Sequence, residues 1–214
     1  MSLTYKVNAG AGDFEPVPAG SHIAVCDIVA DIGLQPGSGM YPQPKNQVYI
    51  RFELPNERIQ FEKDGKKQEG AQVIGKTYTA SMNEKANLRH HLESWRGKAF
   101  TDEEAESFDV SAILGKPCML TVMHTKKGEK TYANITSIGP LPKGIQAKTI
   151  IPEITPVLYA SSDDTASYAA LPEWLRKKID SQIPVEAKRE TTTSEMPPFG
   201  AYDSTEITDD DIPF

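Results

Sequence analysis

The chain has 214 residues, 23 Lys+Arg against 30 Asp+Glu, two Cys and 38% hydrophobic residues, and it holds no apolar run near the roughly 18 residues that span a bilayer. Cys26 and Cys118 lie in apolar segments as buried free thiols do, which excludes a disulfide scaffold, and the start Met-Ser-Leu-Thr-Tyr-Lys-Val lacks a basic-then-apolar leader, so a soluble protein of a reducing compartment is expected. Residues 161–214 hold 12 acidic and 5 basic side chains, leaving 18 of each sign in residues 1–160, so the net charge of −7 belongs to the tail and does not exclude a nucleic-acid partner for the body.

The first twenty residues, with Ala-Gly-Ala-Gly and Pro-Val-Pro-Ala-Gly, read as an irregular arm before a strand over Ser21–Leu34. Gln35–Asn46 carries Pro36, Gly37, Gly39, Pro42 and Pro44 around Tyr41 and Lys45, too many breakers for a regular element. Gln47–Leu54 alternates, with Val48, Ile50, Phe52 and Leu54 on one face and Tyr49, Arg51 and Glu53 on the other, the pattern of a half-buried strand. Pro55-Asn56 predicts a turn, Arg58–Glu62 a short ribbon pairing back, and Lys63–Glu69 a charged hairpin tip around Asp64-Gly65. Lys76–Met82 resumes as a strand. Leu88, Leu92 and Trp95 then mark one stripe of a helix over Glu84–Arg96, with Arg89, Glu93 and Arg96 outside the stripe and Gly97 as its stop.

Thr101–Leu114 reads as one or two short helical turns, and Lys116–Thr125 and Lys130–Ile138 as two strands about the turn Lys126-Lys127-Gly128-Glu129. Leu141–Thr155 is expected to lie extended against the domain. Beyond Ala160 the composition shifts to Ser, Thr, Asp, Glu and Pro, so residues 161–214 are expected to be a disordered tail apart from a short amphipathic stretch, Pro172–Ile179, that includes Trp174. Three strands, a helix and two strands fit a mostly β chain with a single OB-fold over residues 1–160, a five-stranded barrel whose helix lies between strands 3 and 4; an open α+β sheet is the alternative.

Gly70-Ala71-Gln72-Val73-Ile74-Gly75-Lys76-Thr77 satisfies the phosphate-loop pattern G-x-x-x-x-G-K-[ST]. Such a loop works by leaving a buried strand and opening a helix whose first N–H groups face the phosphate. Here charged residues precede it and strand-like Tyr-Thr-Ala-Ser follows, so the segment reads as a strand connection with Lys76 a surface cation, and an NTP-using enzyme is the rival reading. His22, His90, His91 and His124 show no metal-ligand spacing, and no residue stands in a recognisable nucleophile setting. No catalytic residue, metal or cofactor is assigned; His91 is expected to border the core and His90 the solvent.

A binding face has better support. Tyr49 and Arg51 leave the barrel opposite Val48 and Ile50, the preceding loop adds Tyr41 and Lys45, and the closing hairpin adds Lys126, Lys127, Lys130 and Tyr132 in the place of the loop that flanks an OB-fold groove. Single strands are bound by this interleaving, because bases stack on flat rings while cations follow the phosphates. Tyr41, Lys45, Tyr49 and Arg51 are expected to form one wall and Lys126, Lys127 and Tyr132 the other, with Lys76 and Tyr78 on the neighbouring strand. At the far end, Thr208-Asp209-Asp210-Asp211-Ile212-Pro213-Phe214 reads as a short linear ligand: Phe214 as apolar anchor, Pro213 limiting the entropy lost on docking, and the acidic run attracting basic surfaces.

Asp209-Asp-Asp-Ile-Pro-Phe214 resembles the acidic tip through which bacterial single-stranded DNA-binding proteins recruit replication and repair enzymes. Phe52-Glu-Leu-Pro-Asn-Glu57, Ser81–Gly97, Gly115-Lys-Pro-Cys-Met-Leu-Thr-Val122, Tyr132-Ala-Asn-Ile and Pro140-Leu-Pro-Lys-Gly144 are similar to a family encoded in the replication modules of tailed bacteriophages. The resemblance implies a phage single-stranded DNA-binding protein with an OB-fold, acting in DNA replication or recombination in the host bacterial cytoplasm, with single-stranded DNA and host or phage replication and repair proteins as partners and no membrane. Only Asp209–Phe214 take a role from the bacterial proteins, whose tetrameric assembly is not carried over. An interaction adaptor that binds protein rather than DNA is the other alternative.

Overall fold

A computed structural model describes residues 15–37, 42–63, 66–160 and 162–184 of the chain, with backbone alone at 62 and 63. β1 (Gly20–Gln35), β2 (Lys45–Lys63) and β3 (Lys66–Thr79) form an antiparallel meander, the helix α1 (Asn87–Arg96) follows, and β4 (Pro117–Lys127) and β5 (Lys130–Gly139) form the closing hairpin. The order across the sheet is β3-β2-β1-β4-β5, and it curls until β3 and β5 approach each other. This is a mostly β chain whose curled five-stranded sheet, with a helix after the third strand, is consistent with an OB-like barrel.

One face of the sheet encloses the barrel core. Val48, Ile50, Phe52 and Leu54 from β2 meet Ala24 and Cys26 from β1, Leu120 and Val122 from β4, and Ile135 and Ile138 from β5. α1 covers this core with Leu88 and Leu92, while Trp95 packs 5.8 Å from the Phe52 ring and donates its Nε1–H to Pro117 O at 3.1 Å. Gly97 ends the helix in the left-handed conformation at φ 69°, where its N–H reaches the Ser94 carbonyl. α1 starts at Asn87 rather than Glu84 because residues 83–86 form a turn, with Ala86 N bonded to Asn83 O. Arg89 is buried instead of lying outside the stripe: its guanidinium donates to Phe100 O at 2.9 Å and to Glu93 at 2.9 Å. His90 is exposed, and His91 is half-buried against Tyr78.

The largest departure lies after Leu54. Pro55–Glu57 bulge out of register, since the pairing jumps from Leu54↔Gln72 to Arg58↔Ala71, and β2 continues forward to pair through Lys63↔Lys66. No reversal occurs at Pro55-Asn56. A proline donates nothing to a ladder, so a bulge absorbs it without ending the strand. The result is one long β2–β3 hairpin, and Gly70–Thr77 lies wholly within β3.

Regular structure also extends past Ala160. The short β6 (Val157–Tyr159) pairs in parallel with Ile28–Ala30, and α3 and α4 follow at Thr165–Ala170 and Glu173–Asp180, numbered after the six-residue α2 (Asp102–Ser107). Leu171, Leu175 and Ile179 join Tyr159 over the outer face of the sheet and bury Ile28, Ala30, Ile32 and Tyr49 in a second core. The expectation of a tail from residue 161 is corrected to this extent. An amphipathic helix with an apolar stripe finds a partner when the neighbouring strand is apolar on its outer face as well.

β1 serves both cores by changing partner midway. Gly20–Val25 pair with β4 and Ile28–Ala30 with β6, with Asp27 the extra residue of a bulge between them. The Asp27 side chain, fully buried, takes a bidentate ion pair from Arg51, with Nη2 at 2.6 Å and Nε at 3.0 Å from Oδ2. Desolvation pushes the Asp27 carboxyl above its ordinary range while the guanidinium pulls it back.

Leu175 is fully buried in the second core, so Leu175→Ala should cost about 2–5 kcal/mol in urea denaturation. A change below about 0.5 kcal/mol, the size of a surface substitution, would show that α4 does not belong to the folded unit.

Candidate nucleic-acid interface

The seam where β3 approaches β5 carries no ladder among the described pairings, and a side chain spans it: Lys76 Nζ donates to Ile135 O at 2.8 Å. Lys76 is therefore half-buried between two strands rather than a surface cation, and burial lowers its pKa. Beside this bridge the seam opens into a groove of about 1110 Å³ that wraps the edge of β3. One side is built from Ala71–Gly75 and from Ile59 and Phe61 on the extended hairpin, and the other from Lys130–Ala133 of β5. Trp174 of α4 and the arm at Glu15–Val17 complete it.

The arm is held by side chains. His124 Nε2 donates to Val17 O at 2.8 Å, Gln72 Nε2 to Glu15 O at 3.3 Å, and His22 Nε2 to Pro18 O at 2.8 Å. On the outer face of β2, the buried Glu53 carboxylate accepts the backbone N–H groups of Glu153 and Ile154 at 2.7 and 3.0 Å, which fastens the 141–155 segment along the domain.

The expected walls are rearranged. Tyr41 and the tip Asp209–Phe214 lie outside the described residues, and Lys45 is exposed at the start of β2. Tyr49 does stand on the outer face of β2, but that face is covered: the ring is 7% exposed, meets Trp174 edge-on at 5.0 Å, and burial pushes its hydroxyl up to about 12. Arg51 borders the groove while its guanidinium is engaged by Asp27. Tyr78 points into the barrel core, and its hydroxyl pairs with His91 Nδ1 at 2.8 Å. Lys126 and Lys127 are exposed on the β4–β5 hairpin, and Tyr132 is 46% exposed at the groove. Among the described residues expected to form two walls, Tyr132 is the open aromatic ring, with the hairpin lysines near it in sequence.

Two aromatic residues were missed. Trp174, 51% exposed, lines the groove, and Phe61 continues the inward face of β2 beyond the bulge. The glycines of the phosphate-loop pattern have a structural reason of their own. A β-carbon at position 75 would stand 1.9 Å from the Tyr49 hydroxyl, and one at position 70 would stand 3.1 Å from the Phe61 ring. Both glycines sit in an extended strand beneath aromatic side chains, an arrangement that protects a glycine in a sheet.

Charges around the groove are mixed. Lys130 and Arg51 line it together with Glu129 and Glu15, and Lys126 and Lys127 stand exposed at the hairpin end. Exposed rings beside a cationic hairpin can stack flat ligands and attract an anionic chain along one edge. Among the described residues no helix is long and apolar enough to cross a membrane. No protein-family model matches the chain, and a search of curated proteins finds none similar to it.

The two tyrosines should separate in their behaviour. Tyr49→Ala empties a site in the second core and uncovers Gly75, so it should cost about 3–5 kcal/mol of stability, whereas Tyr132→Ala should stay within about 0.5 kcal/mol. Guanidinium denaturation of both variants checks this; equal losses would mean that Tyr132 is a packing residue and not an open face of the groove.

Proposed function

We propose that the protein binds single-stranded DNA without strong sequence preference, in the groove along the β3–β5 seam, and acts in DNA replication or recombination. The observation that carries this reading is the exposed pair Tyr132 and Trp174 lining one groove whose hairpin wall ends in Lys126, Lys127 and Lys130. Rings accept any base because every base has a flat face, and hairpin cations follow the phosphates. A curled five-stranded sheet whose groove lies beside the β4–β5 hairpin supports the same reading, since the loop between strands 4 and 5 is among the elements with which OB-folds bind oligonucleotides.

The tip adds a second element. Asp209–Phe214, with its resemblance to the recruiting tip of bacterial single-stranded DNA-binding proteins, supports a division of labour in which the folded body holds DNA and the tip engages replication or repair proteins. The resemblance of the body to a phage replication-module family supports an infected bacterial cell as the setting of this work.

Titration of Trp fluorescence with single-stranded and duplex oligonucleotides tests the binding. Single strands should quench or shift Trp174, with an affinity that falls as salt rises because bound cations release counterions. Tyr132→Ala should cost about 1–3 kcal/mol of binding, and Lys127→Ala should mainly flatten the salt slope. Equal affinity for duplex and single strand would contradict the proposal.

Deleting Asp209–Phe214 should leave single-strand affinity unchanged or slightly raised, because an anionic segment competes for cations within a Debye length of roughly 10 Å at 0.1 M salt, while capture of replication proteins is lost. Removing Phe214 alone should abolish capture with the three aspartates intact. Oligonucleotide anisotropy and pull-down check both variants; a loss of DNA binding as large as the loss of capture would refute the division of labour.

A further inference from the structure

Trp174 is the second residue of α4 and stands exposed at the groove. Leu171, Leu175 and Ile179 seat the helix in the second core and so fix its backbone. An exposed side chain keeps its rotamer freedom unless something packs against it. Tyr49 does so, with the two rings edge-on at 5.0 Å and 86° between their planes. Aromatic pairs favour this arrangement because the positive edge of one ring meets the negative face of the other. Tyr49 itself is buried and is not part of the groove lining.

The place of Tyr49 is set by small residues on both flanks. On one side it pairs with Ala30 of β1, which is fully buried. On the other it pairs with Thr77 while Arg51 pairs with Gly75, so the Tyr49 ring crosses the β2–β3 ladder diagonally to lie over Gly75. A β-carbon at position 75 would overlap the Tyr49 hydroxyl, Cζ and Cε2, and only glycine leaves the ring this place. Gly75 also lines the groove. The contacts from Gly75 to Tyr49 to Trp174 thus leave the groove at β3, pass through the second core and return to the groove at α4. We propose that Tyr49 is a positioning residue for single-strand binding, which holds the Trp174 indole in the orientation on which a base stacks. The inference rests on the groove reading and extends it to a side chain that the strand does not touch. A ring already oriented loses less freedom on binding than one the ligand must immobilise, so affinity depends on the buried tyrosine.

The test is a double-variant cycle on the full chain, titrated with oligo-dT of about 16 nucleotides. Trp174→Ala should lower affinity about 5- to 150-fold, the range for one stacked base. Tyr49→Leu, which keeps an apolar side chain without a flat ring, should also lower it, and the combination Tyr49→Leu/Trp174→Ala should bind no more weakly than Trp174→Ala alone. Tyr49→Phe keeps the ring and should bind as wild type does. Hydrogen exchange separates positioning from mere support: the α4 amides should stay as protected in Tyr49→Leu as in wild type, because Leu171, Leu175 and Ile179 still seat the helix. Where Tyr49→Leu does not fold, Tyr49→Met, with an unbranched side chain that fills irregular gaps, takes its place.

Wild-type affinity in Tyr49→Leu beside a loss in Trp174→Ala would overturn the positioning role and leave the groove standing. Losses that multiply in the double variant would also overturn it, by showing that Tyr49 acts on a route separate from Trp174. Loss of exchange protection across α4 in Tyr49→Leu would do the same, by showing that the helix has come away from the sheet. A loss in Tyr49→Phe as large as in Tyr49→Leu would place the effect in the hydroxyl and contradict the role given to the ring. Wild-type affinity in Trp174→Ala would take Trp174 out of the binding site and Tyr49 with it. Failure of the wild-type protein to bind the strand at all would remove the groove reading, and this inference with it.

Discussion

The ion pair between Asp27 and Arg51 is the interaction on which the rest of the architecture depends. It sits at the bulge where β1 leaves β4 and takes up β6, so it fixes the point at which one strand passes from the barrel core to the second core. A buried carboxylate is costly unless paired, and removing one partner of such a pair typically costs about 3–5 kcal/mol. The bidentate geometry holds β1 to β2 just where their register shifts. The barrel, the covering helices and the groove wall that Trp174 supplies all stand on that junction.

A side chain bridges the open seam of the curled sheet. Lys76 spans β3 and β5 where a ladder would otherwise be expected, and the seam beside it is left free to form a groove. Bridging the seam with one ammonium leaves the facing edges of β3 and β5 without a ladder among the described pairings. It also places a positive charge at the seam. The covering layer gives the groove its other face, because α4 buries Leu175 and Ile179 beneath itself while leaving Trp174 at the rim.

Much of the barrel was legible in the sequence because its signals are local. Period-two alternation in Gln47–Leu54, the Leu88/Leu92/Trp95 stripe and the Gly97 stop each report a backbone geometry directly, and the order of elements followed. The covering layer was less legible. Ile23–Ile32 is apolar at almost every position, which marks a strand buried on both faces, yet nothing local says what covers the second face; the same covering turns Tyr49 and Arg51 from an open wall into packing and ion pairing. Phe61 was hidden by the bulge at Pro55–Glu57, which inserts three residues and flips the phase of the alternation. Tyr132 was legible because a hairpin next to a Gly turn presents its outer residues to solvent. The phosphate-loop pattern in Gly70–Thr77 matched in letters and not in context, since its glycines answer to the rings of Phe61 and Tyr49.

The account therefore rests on a groove whose aromatic rings are Tyr132, Trp174 and Phe61 rather than Tyr49 and Tyr78. Ultraviolet cross-linking of the protein to an iodouracil-substituted single strand, with the modified residues located by mass spectrometry, tests that claim most directly. Cross-links at Tyr132 and Trp174, absent from Tyr49 and Tyr78 and displaced by unlabelled single strand but not by duplex, are the predicted result. Cross-links confined to surfaces away from the β3–β5 seam, or equally displaced by duplex, would contradict it.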